Sequence, residues 1–346
     1  MLILHSSLPH IKNEGAPWLS NVFSIVLALA AASVLPTFYI LSGFTFRDKE
    51  HVLQDRSRKL LVPYIIWGGV IIFAINLLQH LLNQNTSFCD ILKDIGGLLY
   101  CRTTTFSICT IFRPEGISNI HLMPAGAGVL WFLTSLFTAY VLFLPLYRTK
   151  QKTAIILLYL FLTYLFSLSP FLAPWSLDMA PLCALMLFAG TEIRKGEWFF
   201  RPWSGHWVFC IMIIPVYWIL YLQNGPVELF RRQYGNSLVL SSVICLVIGI
   251  LGFYLYSILS VYLTKLRLHS AFAYLGEASL SLLCSHLAFY TIVRMLFTQI
   301  TNSVGISATP SNLFLLEITT ALAGGLMVHD ALKRIRAYRK QCSPHL

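Results

Sequence analysis

Two histidines are the residues best suited to proton transfer in an otherwise apolar chain. His5 ends a short apolar stretch that begins at Met1, and His286 lies inside a much later apolar run. Imidazole titrates near neutral pH, so either residue can act as a general base. Each also has a structural interpretation: His5 as an interfacial side chain, and His286 as a hydrogen-bonding contact between helices.

The run that contains His286 carries a polar face. Its members are spaced by seven, four and four residues, which places them on one side of a helix: Ser279, His286, Tyr290 and Arg294. A polar face on a membrane helix is expected to face the bundle interior or a water-filled cavity. Glu317 is a further ionisable residue in an apolar run, and either Arg294 or a histidine can be its partner.

A basic cluster links the first two long apolar runs. Arg56, Arg58 and Lys59 come just before Pro63-Tyr64, and proline is favoured in the first turn of a helix. The cluster is therefore expected at a membrane surface, where cations can hold the phosphates of a nucleotide-bearing donor, arginine doing so bidentately. The alternative is a set of topology anchors that are attracted to anionic lipid.

The apolar run before this cluster ends in Ser42-Gly43-Phe44. Ser42 and Gly43 provide a hydrogen-bonding group and a place for close packing near a helix end. The alternative is a helix kinked at Pro36 with a small-residue contact at Gly43.

The composition indicates a membrane protein built of helices. Of 346 residues, 57% are hydrophobic and only 11% are charged, whereas a soluble domain has about 25% charged residues. The mean hydropathy is +0.70. The apolar runs are continuous for about 20 residues instead of alternating with polar residues, which excludes a membrane β-barrel and predicts an all-α, polytopic transmembrane helix bundle.

These runs predict about ten spans in a single integral-membrane domain that covers residues 1–346. Nine are close to full length, and Met1 to Ser6 supplies the last turns of another, so the first span is expected to be truncated. The nine runs cover approximately residues 22–46, 60–82, 126–147, 153–168, 177–193, 206–222, 237–263, 271–297 and 312–328.

The distribution of charge sets the predicted orientation. The chain carries 25 Lys and Arg and a formal net charge of +11. Of these cations, 18 fall in alternate loops and in the tail at 329–346, which are therefore expected in the cytoplasm, and 7 fall on the other side. The long loop at 83–125 is then exterior and is expected to pack as a lid or a re-entrant segment. Because the cations are clustered between apolar runs, nucleic acid is not an expected partner.

The cysteines indicate no metal site, because the eight of them offer no CxxC pair and no spacing typical of metal ligands. Four lie in apolar runs and are expected to pack there: Cys183, Cys210, Cys245 and Cys284. Cys89, Cys101 and Cys109 share the 83–125 loop, where an oxidising compartment would allow a disulfide whose pairing stays open.

In its motifs the chain resembles the acyltransferase 3 family, the ten-span membrane acyltransferases that modify bacterial surface glycans and other polyketide or sugar acceptors. In that family the first span ends in a histidine, as His5 does here. The second reads roughly Pro-x-Phe-Phe-x-x-Ser-Gly-Phe, which matches Pro36 to Phe44, and an Arg-x-x-Arg motif then leads to Pro-Tyr, which matches Arg56 to Tyr64. Leu130 to Leu133 resembles the family's Trp-Phe-Leu span start, and Tyr274 to His286 resembles its late Leu-Gly-x-x-Ser-Leu…His helix.

Two features depart from the family pattern. The basic motif reads Arg56-x-x-Lys59, and because lysine keeps the charge but lacks the planar fork of arginine, Arg58 is a candidate substitute. Most of the first span is missing ahead of His5, which points either to an upstream start codon or to an inactive copy.

The resemblance implies an O-acyltransferase of the cytoplasmic membrane. The donor would be acyl-CoA, most simply acetyl-CoA, held by Arg56 and Lys59. Ser42 and Gly43 would shape the path of the acyl group between the two faces, and His5 would be the general base or the acyl relay. The acceptor would be a sugar hydroxyl on a lipid-linked or exported glycan. Its other partner is the lipid bilayer, and no oligomeric state is implied. The rival interpretation is a glycolipid or polysaccharide transporter or flippase, which has no need of a CoA-binding basic cluster.

Overall fold

The structure is a computed structural model that describes residues 32–82, 87–101, 104–109, 117–122, 128–169, 172–196, 206–224, 229, 240–304 and 310–342. These residues form ten α-helices: α1 Ala32–Phe44, α2 Val52–Leu81, α3 Phe88–Tyr100, α4 Trp131–Arg148, α5 Lys152–Leu168, α6 Ala180–Lys195, α7 His206–Asn224, α8 Ser241–Lys265, α9 His269–Val304 and α10 Pro310–Cys342. They also form the strands β1 Thr104–Cys109 and β2 Ile117–Leu122 and two 3-10 turns, Gly128–Leu130 and Pro174–Ser176.

Helices occupy the predicted apolar runs within the described residues, which confirms the helical membrane architecture. In the part of the chain that the structure describes, six segments are long and apolar enough to cross a membrane: Val52–Leu81, Trp131–Arg148, Pro174–Lys195, Ser241–Lys265, His269–Thr301 and Leu315–Ile335. Helices α1 and α5 are apolar but shorter in the described part of the chain. The total of about ten spans stays a prediction.

The predicted exterior loop at 83–125 contains a helix that lies beside α2. The Tyr64 hydroxyl of α2 donates to the Leu98 carbonyl of α3, and the Asn76 amide donates to Asp94 at 3.1 Å. Residue numbers fall along α2 as they rise along α3, so the two helices run antiparallel. Whether this loop forms a lid or a re-entrant segment stays a prediction.

A β-hairpin follows α3 and was not expected from the sequence. Its strands pair antiparallel, with Thr104 opposite Leu122 and Cys109 opposite Ile117. Six-residue strands give a weak signal beside apolar runs of about 20 residues, and the sequence pattern therefore favoured a purely α protein.

The predicted tail at 329–346 is helical through Cys342, because α10 is one helix of 33 residues. At about 1.5 Å per residue it is roughly 50 Å long, whereas the hydrocarbon core of a bilayer is about 30 Å thick. Its last turns, which carry Lys333 and Arg334, therefore extend beyond the apolar part of the helix.

The chain divides into two compact units. The first comprises the described parts of Tyr64–Leu130 and Ser270–Leu346, and the second comprises those of Ala16–Pro63 and Trp131–His269.

In the second unit, α1 is packed by three other helices. The Tyr39 hydroxyl and the Ser135 hydroxyl of α4 are 2.6 Å apart, and both residues are fully buried. Thr37 donates to the Gly249 carbonyl of α8 at 3.3 Å. Helix α6 approaches α1 at Gly190, where no side chain fits. The helix that carries the Ser-Gly-Phe motif is therefore held on several sides.

In the first unit, α9 and α10 run antiparallel. The Tyr274 hydroxyl near the start of α9 donates to Asp330 near the end of α10 at 2.8 Å. Farther along α9, Arg294 pairs with Glu317 near the start of α10 at 2.7 Å. These polar contacts fix the register of two membrane-length helices.

Candidate active site

A basic cleft is formed by the loop between α1 and α2 and by the first turns of α2. It has a volume of about 180 Å³. Four cationic side chains and one carboxylate are among its lining residues, which are Thr45, Arg47, Lys49, Val52, Asp55, Arg56 and Lys59. The first turn of α2 also contributes to the lining, and a helix N-terminus carries a partial positive charge. The cleft is therefore suited to binding an anion.

The geometry of α2 determines which of the predicted basic residues reach the cleft. Arg56 and Lys59 are three residues apart and so share one face of the helix. Both line the cleft, whereas Arg58 lies outside the lining. The Arg-x-x-Lys spacing therefore still presents two cations to the same space.

The loop before α2 is held by arginines from two other helices. Arg148 of α4 donates to Asp48 at 2.8 Å, and Arg194 of α6 donates to the Phe46 carbonyl at 2.7 Å. These contacts place the C-terminal ends of α1, α4 and α6 on one side of the unit, together with the N-terminal end of α2. The loop side of the cleft thus has fixed supports.

Arg56 stacks on an aromatic ring of α4. Its Cζ lies 4.4 Å from the centroid of the Tyr140 ring, which is a cation–π contact. Tyr140 is fully buried, and its hydroxyl donates to the Ser42 carbonyl at 3.1 Å. Tyr140 thereby links the Ser-Gly-Phe segment to the basic cleft.

Gly43 is a point of close helix packing. A Cβ at this position would lie 1.9 Å from the Leu187 carbonyl oxygen of α6. Gly190 is its counterpart, since a Cβ there would lie 2.0 Å from the Ile40 carbonyl oxygen. The close contact between small residues, which is the alternative interpretation of the motif, explains why position 43 is a glycine. The Ser42 carbonyl accepts the hydrogen bond from the Tyr140 hydroxyl. A role for Ser42 and Gly43 in shaping an acyl path stays a prediction.

His286 lies in α9 of the first unit and is only 1% exposed. Its Nδ1 is 2.9 Å from the Leu282 carbonyl oxygen and 3.0 Å from that of Leu283. Because a carbonyl can only accept, Nδ1 carries the proton, and Nε2 of the neutral ring is then the acceptor nitrogen. The Tyr290 ring meets the imidazole edge-on at 5.8 Å. This tautomer is the one that can accept a proton at Nε2.

The partner of Glu317 is Arg294, which decides between the two candidates left open by the sequence. Nε and Nη2 of Arg294 donate to one carboxylate oxygen at 3.0 and 2.7 Å. The Glu317 side chain is fully buried and that of Arg294 is half exposed. Of the predicted polar face, His286 and Tyr290 are buried, whereas Ser279 is exposed. The pair neutralises a carboxylate inside an apolar helix.

Three predicted positions lie outside the described part of the chain: His5, and the side chains of Cys109 and Cys210. The catalytic role of His5 and a disulfide in the 83–125 segment therefore stay predictions. In that segment Cys89 is exposed and Cys101 is buried.

Three residues of the cleft region were missed as site candidates: Arg47, Lys49 and Tyr140. Arg47 and Lys49 are among the 18 cations that set the predicted orientation, and their position in the short loop before Arg56 also indicates a place near the basic cluster. Tyr140 is far from Arg56 in sequence, and no local pattern connects the two residues.

Comparison with known proteins supports the resemblance seen in the motifs. The acyltransferase 3 family model, described as an acyltransferase domain, matches residues 1–328. The match covers His5, the basic cleft and His286, and it ends where the predicted tail begins. No curated protein and no solved structure matches the chain.

Proposed function

The chain belongs to the acyltransferase 3 family, and from that premise we propose that it is an O-acyltransferase of the cytoplasmic membrane. The acyl group, most simply acetyl, comes from acyl-CoA. It passes to a sugar hydroxyl of a lipid-linked or exported glycan. The protein acts as one membrane domain of about ten spans, in contact with the lipid bilayer and a carbohydrate or glycolipid acceptor.

The basic cleft is the observation that carries this proposal. CoA is a polyanion, and the cleft combines four cations with the N-terminal turn of α2. Its volume of about 180 Å³ is below the roughly 300–1,000 Å³ of a pocket that encloses a whole drug-sized ligand. The cleft therefore suits the phosphates of the donor, with the rest of the molecule extending out of it. A glycolipid transporter has no comparable need for such a cleft.

The cations of the cleft differ in how they can bind phosphate. Arg56 offers a planar fork that matches two phosphate oxygens, and Lys59 on the same face offers a point charge. Arg47 and Lys49 enclose the cleft from the loop side. Among the described residues, the Arg56 side chain has no carboxylate partner within ion-pair distance, so its N–H groups are available to the donor.

The chemistry is transfer of an acyl group from sulfur to oxygen. The acceptor hydroxyl oxygen attacks the thioester carbonyl carbon, a C–O bond forms, and the C–S bond of the donor breaks. His5 takes the hydroxyl proton as general base and returns it to the departing CoA thiolate. His286, with its proton on Nδ1, is assigned a secondary role toward the acceptor.

In the proposed orientation the donor cleft faces the cytoplasm, where CoA is available. The ends of α1, α4 and α6 and the start of α2 share one side of their unit, and the basic residues there follow the positive-inside pattern. The end of α10 is assigned to the cytoplasm by the same rule, and the 83–125 segment to the exterior half.

The experiment uses membranes from cells that make the protein, incubated with acetyl-CoA labelled in the acetyl group. Label is expected in the glycan or glycolipid fraction, above that of membranes lacking the protein. A transporter would instead change the sidedness of a glycolipid without incorporating label, and that outcome would contradict the proposal.

A further inference from the structure

We propose that Tyr140 is a positioning residue of the donor site. Its ring sets the plane of the Arg56 guanidinium, and its hydroxyl ties that ring to the Ser42 carbonyl. The inference rests on the proposed function, because it concerns how the basic cleft binds CoA. It adds a residue of α4 to a site that the motifs place only on α1 and α2.

The first observation is the geometry of the stack. The Arg56 Cζ lies 4.4 Å from the ring centroid, well inside the limit of about 6 Å for a cation–π contact. Arg56 is half-buried and lines the cleft. The ring therefore limits the orientations that this flexible side chain adopts beside the cleft.

The second observation is that the contact with the ring leaves the N–H donors of Arg56 available. A guanidinium has five N–H donors, and a cation–π contact with a ring face pairs none of them with an oxygen acceptor. Arg148 and Arg194, in contrast, direct N–H groups to Asp48 and to the Phe46 carbonyl. Arg56 is thus fixed without using the donors that a phosphate would accept from.

The third observation is that Tyr140 is itself rigidly held. The residue is fully buried, its hydroxyl donates to Ser42 at 3.1 Å, and its ring centroid is 6.1 Å from that of Phe46. Phe143 lies next to it on α4, equally buried, with its ring 4.9 Å from Phe46. Phe143 belongs to the same aromatic cluster, but Arg56 stacks on Tyr140, and this makes Phe143 a matched control.

The expected effect is a loss of donor affinity without loss of the chemical step. A cation–π contact of ordinary strength corresponds to about a two- to thirtyfold change in binding. Tyr140→Leu is expected to weaken CoA binding in this range and to raise the donor KM, with kcat little changed. Tyr140→Phe keeps the ring and is expected to bind CoA more tightly than Tyr140→Leu. Phe143→Leu is expected to leave CoA binding unchanged.

The test is equilibrium binding of labelled acetyl-CoA to the purified full-length protein in lipid nanodiscs. It compares the parent protein with Tyr140→Leu, Tyr140→Phe, Arg56→Ala, the Tyr140→Leu/Arg56→Ala double variant and Phe143→Leu. In the double variant, loss of Tyr140 is expected to add little to the loss of Arg56, because the ring acts through that guanidinium. Arg56→Lys leaves the aromatic core intact. It is expected to weaken binding because lysine lacks the planar group that contacts the ring and matches two phosphate oxygens, so unchanged binding would overturn the proposal even where Tyr140→Leu fails to fold.

Several results would overturn the role of Tyr140: unchanged binding in Tyr140→Leu or in Arg56→Lys, additive losses in the double variant, or an equal loss in Phe143→Leu. Failure of the parent protein to bind acetyl-CoA at all would contradict the proposed function itself. Parent binding with an unaffected Tyr140→Leu variant would contradict only the positioning role.

Discussion

Gly43 of α1 and Leu187 of α6 lie so close together that a Cβ on Gly43 would come within 1.9 Å of the Leu187 carbonyl oxygen. The atom in the way is backbone, so it cannot move aside as the end of a side chain can. The Ser-Gly-Phe segment is therefore packed tightly against α6, immediately before the loop that leads to the basic cleft. Close packing at Gly43 is therefore needed to position the loop that lines the cleft.

Replacing Gly43 by alanine is expected to destabilise the protein by about 1–3 kcal/mol, because overpacking forces the helices apart. Gly69 of α2 provides the control, since a Cβ there meets no atom within 4 Å. Alanine at Gly69 is expected to be neutral or to stabilise the helix by up to about 1 kcal/mol. Thermal unfolding in detergent measures both variants, and equal stability of the two would contradict the close contact.

The Arg294–Glu317 pair gives a second prediction about stability. Removing one member of a buried pair costs about 3–5 kcal/mol, and because Arg294 is half exposed we expect a smaller loss of about 1–3 kcal/mol in Arg294→Ala. The Arg294→Ala/Glu317→Ala variant should recover part of this loss, because no carboxylate is then left buried alone. Lys333→Ala is the control: its pair with Glu277 is about 64% and 63% exposed, and a change within about 0.5 kcal/mol is expected. No recovery in the double variant would show that the charges are not coupled.

Much of the local structure could be predicted because it depends on short-range spacing. Arg56 and Lys59 share a face of α2 because helical residues three apart are neighbours, and the same rule excludes Arg58 from the cleft. The polar face of α9 follows from the same periodicity and correctly groups His286 with Tyr290. Continuous apolar runs likewise predicted where the membrane-length helices lie.

The rest could not be predicted, because it depends on contacts between distant parts of the chain. Nothing in the sequence around Arg56 indicates that the Tyr140 ring lies beneath it. The close contact between Gly43 and Leu187 also joins distant parts of the chain, although the motif itself indicates that Gly43 allows close packing. The β1–β2 hairpin was missed for a different reason: its strands are short and lie in a segment without a strong apolar period.

The predicted topology can be tested with single-cysteine variants labelled from one side of the membrane. Cys89, which is exposed in α3, is expected to react with an impermeant maleimide from the exterior. Cys342, at the end of α10, is expected to react only from the cytoplasmic side, as the positive-inside pattern requires. Labelling of both cysteines from the same side would contradict the orientation and the number of spans.

The two histidines are expected to differ in their effect on acetyl transfer. His5→Ala should lower transfer by about 10²–10⁴-fold, the usual contribution of a general base, at unchanged protein abundance. His286→Ala should lower transfer less, or change which acceptors are used, because Nδ1 of this ring is bound to helix carbonyls. Acetyl incorporation into surface glycan, measured in cells producing each variant, distinguishes them. Near-normal incorporation by His5→Ala would end its catalytic assignment and favour a transporter.

The central claim is that the cleft at the start of α2 binds the acyl donor, and Arg58 makes its most direct test possible. The measurement is the dependence of acetyl transfer on acetyl-CoA concentration in membranes containing the parent protein, Arg56→Ala/Lys59→Ala or Arg58→Ala. A charge-assisted hydrogen bond contributes about 1.5–3 kcal/mol, so the double variant is expected to need at least about tenfold more donor. Arg58→Ala removes one positive charge from the same turn but outside the cleft, and its donor requirement should stay within about twofold of the parent. An unchanged requirement in the double variant, or an equal shift in Arg58→Ala, would contradict the account and reduce the cluster to topology anchors.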